Sequence, residues 1–164
     1  MLVVAVGVSV LWWRQAGVTD DGGDAKELLN RVWIDAWPGG EREMREALVL
    51  IDQPGNPTAR IGGFGRSSRW RGAFEAFVFM PPRGGKVAIR YPQDGREEIA
   101  RYQVSPCQGD RFNRCLTLEG NSRGVHRYRS NDDLIIRPRA DAPGVPDAAS
   151  IQRQIESAAA ANPK

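Results

Sequence analysis

Apolar and polar residues alternate along most of the middle of the chain, with the period of two that is typical of β-strands. The pattern predicts strands near residues 46–52, 58–65, 69–80, 86–91, 98–105, 115–120, 124–130 and 134–137. Turn signals separate these strands, and Asp94-Gly95 is the clearest because it supplies the positive φ angles of a tight hairpin. The sequence therefore predicts a mainly β fold: an antiparallel up-and-down meander of seven to eight strands closing into a small barrel.

The longest predicted strand, residues 69–80, is central to this fold. One of its two faces is entirely apolar and is expected to form the inner wall of the barrel; it carries Trp70, Gly72, Phe74, Ala76, Val78 and Met80. The opposite face begins with Arg71 and Glu75 and ends in aromatic residues. An inward-pointing Glu75 would favour a ligand pocket, whereas inward-pointing Trp70 and Phe74 would favour a filled scaffold.

Helical patterns flank the strands. A short helix is expected within residues 25–33, capped by Asp24, and a second within residues 150–161, capped by Asp147. The predicted organisation has four parts, which are a signal-like or anchor segment at 1–16, a linker at 17–24, a barrel-like domain at 25–138 and a Pro/Ala-rich tail with a short helix at 139–164.

The first thirteen residues carry no charge and are followed by Arg14. As a helix they would span about 20 Å, which suits the apolar region of a signal peptide better than a full membrane span. A retained anchor with Trp12 and Trp13 at the membrane interface is the equal alternative, and a buried N-terminal strand is a third. We therefore expect an exported protein, periplasmic, extracellular or membrane-anchored outside the cytoplasm.

Cys107 and Cys115 are the only cysteines, and they flank a polar loop between two predicted strands. In a chain with an export-like start, this arrangement predicts a disulfide, which would contribute roughly 2 to 3 kcal/mol. Two buried free thiols in a cytoplasmic protein are the alternative. Two cysteines and the distant His126 are too few ligands for zinc, so no metal is expected.

Catalytic and nucleotide-binding patterns are absent from the sequence. His126 is the sole histidine, no serine lies in a nucleophile elbow, and the glycine-rich run at 62–65 is followed by a predicted strand instead of a phosphate-binding helix. The formal charge of +3 is small for a nucleic-acid-binding protein. We therefore expect no enzyme activity, no cofactor and no nucleic acid.

The order of these elements, with a Trp-bearing helix, a strand meander and a terminal helix, resembles the lipocalin-type β-barrels over about residues 25–160. The Gly-x-Trp motif of that family is not present, since Trp33 follows Arg31 and Val32. The resemblance implies a cavity for a small apolar or amphipathic ligand. The candidate ligand-binding residues are Trp70, Phe74, Glu75, Tyr102 and Tyr128.

Each of these candidates also has a simpler interpretation. The aromatic residues are expected in the core of a filled eight-stranded barrel, and Glu75 is expected as an exposed residue or as the partner of an arginine. Two functions therefore stay open. The first is a structural or protein-interaction module of the cell envelope, with an envelope protein as partner and the N-terminal segment at the membrane. The second is a binder of an apolar ligand.

Overall fold

The computed structural model describes residues 22–40, 42–52, 60–68, 72–108, 111–137 and 148–161. Its eight strands form one closed antiparallel barrel, in which each strand pairs with the next and the last pairs with the first. The strands are β1 (Val32–Ile34), β2 (Arg45–Ile51), β3 (Arg60–Ser67), β4 (Gly72–Phe79), β5 (Lys86–Arg90), β6 (Glu97–Ser105), β7 (Arg114–Glu119) and β8 (Arg127–Ser130). The helices are α1 (Gly22–Leu28) and α2 (Ala148–Ala161). The predicted fold class is confirmed.

Strand β1 was not predicted, because Val32 and Trp33 were assigned to the N-terminal helix. Helix α1 ends at Leu28, and Asn30 then adopts a positive φ of 54°, which reverses the chain. The Asn30 amide donates to the carbonyl of Leu50 at 2.7 Å, and its side-chain oxygen accepts from the Asp52 amide at 2.8 Å. These bonds place the next residues beside β2, so that they continue as a strand.

The strand predicted at 134–137 is wrong. Asn131 caps a short 3-10 turn over Asp132–Leu134 by accepting a hydrogen bond from the Asp133 amide. Only Ile135 then forms a bridge, to Arg31 beside β1. The barrel thus has the expected number of strands because one strand was missed and another was predicted in excess.

Aromatic and aliphatic side chains occupy the barrel lumen. The buried cluster inside the barrel consists of Leu28, Trp33, Leu48, Leu50, Phe64, Phe77, Phe79, Val87, Ile89, Tyr91, Ala100, Tyr102, Val104, Leu116, Leu118 and Tyr128. At its centre the Phe77 ring lies 5.2 Å from Phe64 and 6.0 Å from Tyr91, measured between centroids. A Cβ added at Gly62 would overlap the Phe77 ring and would lie 2.6 Å from the carbonyl oxygen of Val49. A methyl group therefore has no space at that point of the lumen.

The predicted orientation of β4 is wrong. Phe77 and Phe79 are the buried lumenal residues, whereas Val78 and Met80 are exposed. Phe74 belongs to a second apolar cluster, outside the barrel. The reason is that a period of two shows which residues share a face but not which face is inside, and here both faces are partly apolar.

Helix α2 covers the outside of the barrel over the first strands. Ile151, Ile155 and Ala158 pack in the second cluster with outward-facing residues of β1 and β2, including Val32 and Val49. Within the described residues, neither helix combines the length and the apolar content needed to cross a bilayer.

The two ends of the barrel differ. At one end, α1 closes the lumen, since the Trp33 indole donates to the carbonyl of Leu28 at 3.0 Å and Glu27 pairs with Arg114 at 3.1 Å. The β4–β5 turn and the β6–β7 loop with the Cys107–Cys115 disulfide lie at this end, which we call the α1 end. The disulfide was predicted and is confirmed, and it is consistent with an oxidising environment. The other end, called the mouth, carries the β5–β6 turn and the β7–β8 loop, residues 120–126.

Candidate functional site

The β7–β8 loop lies across the mouth of the barrel. Gly124, with a φ of +72°, permits this approach, because a Cβ there would lie 2.6 Å from Phe64 and would collide with the Tyr128 hydroxyl. The Val125 amide donates a hydrogen bond to that hydroxyl at 2.8 Å. Two lumenal aromatic residues thus fix the loop from below.

Arg123 is the charged centre of the mouth. Its guanidinium forms ion pairs with Glu75 and, at 2.6 Å, with Asp94. The same group lies 4.0 Å from the centroid of the Tyr91 ring, which is cation–π geometry. Arg123 therefore joins β4, the β5–β6 turn and the β7–β8 loop, and both carboxylates it contacts are neutralised within the protein.

Glu98 forms the second polar group of the mouth. It accepts hydrogen bonds from the Ser122 amide at 3.0 Å and the Tyr91 hydroxyl at 3.3 Å, and it pairs with Arg96 at 2.9 Å. Burial alone would raise the pKa of the Glu98 carboxyl, but the hydrogen bonds and the Arg96 charge outweigh it and lower the pKa. Burial, followed by the Glu98 charge, raises the pKa of Tyr91. Glu98 is therefore an anion and Tyr91 a neutral donor at neutral pH.

A third charged pair, Glu46 with Arg66 at 3.2 Å, lies on adjacent strands at the same end. Burial raises the pKa of Glu46, Arg66 opposes this effect, and the nearby Asp35 adds to it. Asp35 itself accepts hydrogen bonds from the amides of Ala36 and Glu46. The mouth thus holds several carboxylates, but each is engaged by an arginine or by backbone amides.

The predicted ligand-binding residues lie in three different places. Glu75 is at the mouth, Tyr102 and Tyr128 are in the lumen with exposed fractions of 5% and 1%, and Phe74 is outside the barrel. Trp70 lies outside the described residues. Glu75 shares the lumenal face of β4 with Phe77, which is the orientation expected to favour a ligand pocket, but its carboxylate is paired with Arg123. The structure therefore brings Glu75 and Tyr128 to one end, and ligand binding by the five stays a prediction.

Sequence reasoning missed Arg123, Tyr91 and Glu98. Arg123 lies between the strands predicted at 115–120 and 124–130, and its charge was the one available signal. His126 is exposed, with its Nδ1 3.1 Å from the carbonyl oxygen of Leu118. Among the described residues, no three His, Cys, Asp or Glu side chains are grouped so that they could hold a metal ion.

A groove of about 420 Å³ runs between α2 and the β1–β2 loop. Its polar groups bond to one another, since Ser67 donates to Gln152 at 2.6 Å, Gln152 donates to Glu156 at 3.0 Å, and Arg45 forms an ion pair with Glu43. A smaller void of about 10 Å³ lies beside Phe74 under α2. Both spaces are outside the lumen.

Exposed aliphatic residues form a row on the outside of β4, β5 and β6. The Met80 amide donates to the carbonyl of Ala88 at 3.0 Å, and Ala88 lies opposite Ile99, so the three side chains are neighbours across three strands. Val78 lies two residues before Met80 and on the same outer face of β4. Val78, Met80 and Ile99 are 38%, 52% and 59% exposed, and they are three of the four large hydrophobic residues exposed in the described chain. We call Val78, Met80, Ala88 and Ile99 the aliphatic row.

Basic residues border the aliphatic row. Lys86 of β5 lies directly opposite Arg101 of β6, and Arg83 forms a backbone bridge with Lys86 across the β4–β5 turn. All three are exposed, and within the described part of the chain none forms an ion pair. Arg83, Lys86 and Arg101 are called the basic cluster. On the other side of the row, Arg90 pairs loosely with Glu97 at 3.8 Å.

Like charges directly opposite each other on neighbouring strands destabilise a sheet. The juxtaposition of Lys86 and Arg101 therefore has a cost in the free protein. Glu119, opposite Arg101 on β7, relieves part of it without forming an ion pair. The aliphatic row and the basic cluster together form what we call the β4–β6 wall.

The chain was compared with protein-family models, with curated proteins and with solved structures, and none of the three comparisons found a match. The closed eight-stranded barrel is compatible with a lipocalin-like layout, and the description of this protein as a small β-barrel with one disulfide rests on its own structure.

Proposed function

We propose that this protein is a non-enzymatic interaction module of the cell envelope that acts through its outer surface and not through its lumen. The observation that carries this proposal is the occupied lumen. Sixteen buried residues contribute side chains to it, and a Cβ added at Gly62 would overlap the Phe77 ring. Binding pockets for small molecules usually have volumes of several hundred Å³.

The closed mouth supports the same proposal. The β7–β8 loop is fixed to Phe64 and Tyr128 from below and to Glu75 and Asp94 through Arg123. A ligand entering from this end would have to break the Arg123 ion pairs and displace the loop. The lipocalin-like alternative, binding of an apolar ligand in the lumen, requires both this opening and a rearrangement of the aromatic core.

Two further observations support the rest of the proposal. The disulfide suits export to an oxidising compartment, as the uncharged N-terminal segment does. In the mouth, the carboxylates of Glu75, Asp94 and Glu98 are paired with arginines, which leaves none of these three free to act as a general base. An interaction surface, in contrast, needs exposed apolar and charged groups, and the β4–β6 wall provides both.

Native mass spectrometry of the protein purified from its own host tests this proposal. We expect the mass of the polypeptide alone, with one disulfide. A small apolar molecule retained at a one-to-one ratio, and lost from a Gly62→Leu variant that remains folded, would contradict the proposal and support the lipocalin-like alternative.

A further inference from the structure

We propose that the β4–β6 wall binds the surface of an anionic membrane, with the aliphatic row entering the interfacial region and the basic cluster facing the lipid headgroups. This inference rests on the proposed function, because it names the partner of the outer surface. It differs from the anchoring expected of the N-terminal segment, since it assigns membrane contact to folded residues.

The charges of the wall favour an anionic partner. The basic cluster gives the wall three exposed cations, Arg83, Lys86 and Arg101. The neighbouring charges of Arg90 and Glu97 cancel, and Glu119 on β7 lowers the net charge of the region to +2. Only Arg90 is paired, and Lys86 and Arg101 face each other unfavourably in the free protein. An anionic surface removes this repulsion, and each basic residue held near such a membrane contributes about 1 kcal/mol.

The shape and composition of the row favour a bilayer over a folded partner. The outer wall of a barrel is convex, so a rigid protein partner would need a matching concave surface, whereas a fluid interface adapts to it. Interfaces between proteins usually depend on buried aromatic residues or arginines at their centre. The centre of this wall contains only Val78, Met80, Ala88 and Ile99, which are side chains that insert readily among lipids.

A second copy of the chain is a poor occupant for the same wall. A two-fold interface places the same patch on both subunits. Both copies would then bring a positively charged wall into the interface, with the unpaired Arg83, Lys86 and Arg101 on each side. Charge complementarity therefore disfavours self-association here and favours an anionic surface.

The place where the described chain begins agrees with this orientation. Residues 1–13 are uncharged, and the described structure begins at Gly22 in α1. Helix α1 lies at the α1 end and contacts β6, and the β4–β5 turn with Arg83 lies at the same end. A chain held at a membrane by its first residues would thus enter the barrel at the end that carries the basic cluster.

Vesicle binding by the full chain tests the inference. The vesicles contain phosphatidylcholine with about 30% phosphatidylglycerol, which makes them anionic, and pure phosphatidylcholine serves as the neutral surface. We expect the Lys86→Glu, Arg101→Glu double variant and the Met80→Ser, Ile99→Ser double variant each to bind the anionic vesicles about tenfold more weakly than wild type. Arg127→Glu and Ile135→Ser, which alter an exposed cation and an exposed apolar residue elsewhere, should bind as wild type does.

Equal binding to neutral and anionic vesicles, or equal weakening by Arg127→Glu and by the wall variants, would overturn the inference. Binding to poly-glutamate but not to vesicles would point to an acidic protein instead. A dimer in light scattering that the wall variants disrupt would point to a second copy. None of these results would place a ligand in the lumen, so each is distinguishable from failure of the proposed function.

The N-terminal segment could hold the full chain on vesicles by itself, and a second measurement excludes this ambiguity. The chain contains three methionines, Met1, Met44 and Met80, so methyl-labelled methionine gives few NMR signals. With phosphatidylglycerol bicelles that carry a gadolinium-chelating lipid, we expect strong broadening of the Met80 methyl signal and little broadening for Met44, which lies in the β1–β2 loop. Equal broadening of the two signals would overturn the inference.

Discussion

The barrel has apolar residues on its outside at two places, and only one of them is covered. Over β1 and β2, helix α2 packs Ile151, Ile155 and Ala158 onto outward-facing side chains. Over β4–β6, the aliphatic row remains exposed to solvent. Apolar residues on the outer face of a barrel are normally either few or covered. The first face therefore serves stability, and we propose that the second serves the binding of a partner.

The covered face also carries the disulfide and the ring contacts that hold the outer side of the barrel together. Cys107 of the disulfide packs against the same outer cluster as α2, and the Phe112 ring of the disulfide loop stacks on Trp37 at 4.7 Å. The Phe74 ring fills the space above Gly63 on this face. On the β4–β6 wall, the described residues form no comparable cross-links. Substitutions on the two faces should therefore have different consequences.

The largest contrast is expected between two isoleucines. Ile155 is 1% exposed beneath α2, whereas Ile99 is 59% exposed on the wall. Ile155→Ala should lower the free energy of unfolding by about 2–4 kcal/mol, because it leaves a cavity. Ile99→Ala should change it by less than about 0.5 kcal/mol. Urea denaturation measures both, and similar losses would mean that the wall is already part of the core.

The second-largest loss of stability is expected from removing the disulfide. Replacing Cys107 and Cys115 together by serine should cost about 2–3 kcal/mol, because the cross-link no longer restricts the unfolded chain. Urea unfolding of the double variant, compared with the oxidised wild-type protein, checks this value, and the reduced wild-type protein should match the variant. An unchanged stability would show that the loop does not hold the covered face together.

Two glycines on the outer surface provide a finer test. A Cβ at Gly63 would overlap the Phe74 ring, so Gly63→Ala must displace that ring from beneath α2 and should cost about 1–3 kcal/mol. A Cβ at Gly72 would make an ordinary contact of 3.5 Å with Ser67, so Gly72→Ala should be neutral or stabilise by up to about 1 kcal/mol. Thermal unfolding measures the stability of both variants. Equal midpoint temperatures would refute the packing of the Phe74 ring against Gly63.

The smallest effect has the opposite sign. Lys86→Glu puts a carboxylate opposite Arg101 and should stabilise the free protein by about 0.2–1 kcal/mol while weakening binding to anionic vesicles. Arg127→Glu on β8, opposite the uncharged Thr117, is the control and should give no such gain. A loss of stability in Lys86→Glu, measured by urea unfolding at low salt, would contradict the charge repulsion inferred between Lys86 and Arg101.

Much of this architecture could be predicted from the sequence. The alternation of apolar residues and the Asp94-Gly95 turn led to a meander and a barrel, and the spacing of Cys107 and Cys115 led to the disulfide. Strand β1 could not be predicted because three residues are too short a pattern, and its pairing depends on the positive φ of Asn30. The face of β4 was assigned wrongly because alternation does not say which side α2 covers.

The candidate sites depended on information that a single sequence lacks. Met80, Ala88 and Ile99 are separated in sequence, and only the strand register brings them into one row. Arg123 reaches Glu75 because Gly124 lets the β7–β8 loop lie against Tyr128. Neither arrangement has a signature at the level of spacing, since both depend on contacts between distant residues.

The central claim is that the lumen is filled and that the outer surface carries the function. A crystal structure determined under xenon pressure tests it most directly, because xenon enters apolar cavities that water leaves empty. The account predicts no xenon among the rings of Phe64, Phe77 and Tyr91, which form the middle of the lumen. A well-occupied xenon atom or a bound apolar molecule among these rings would contradict it.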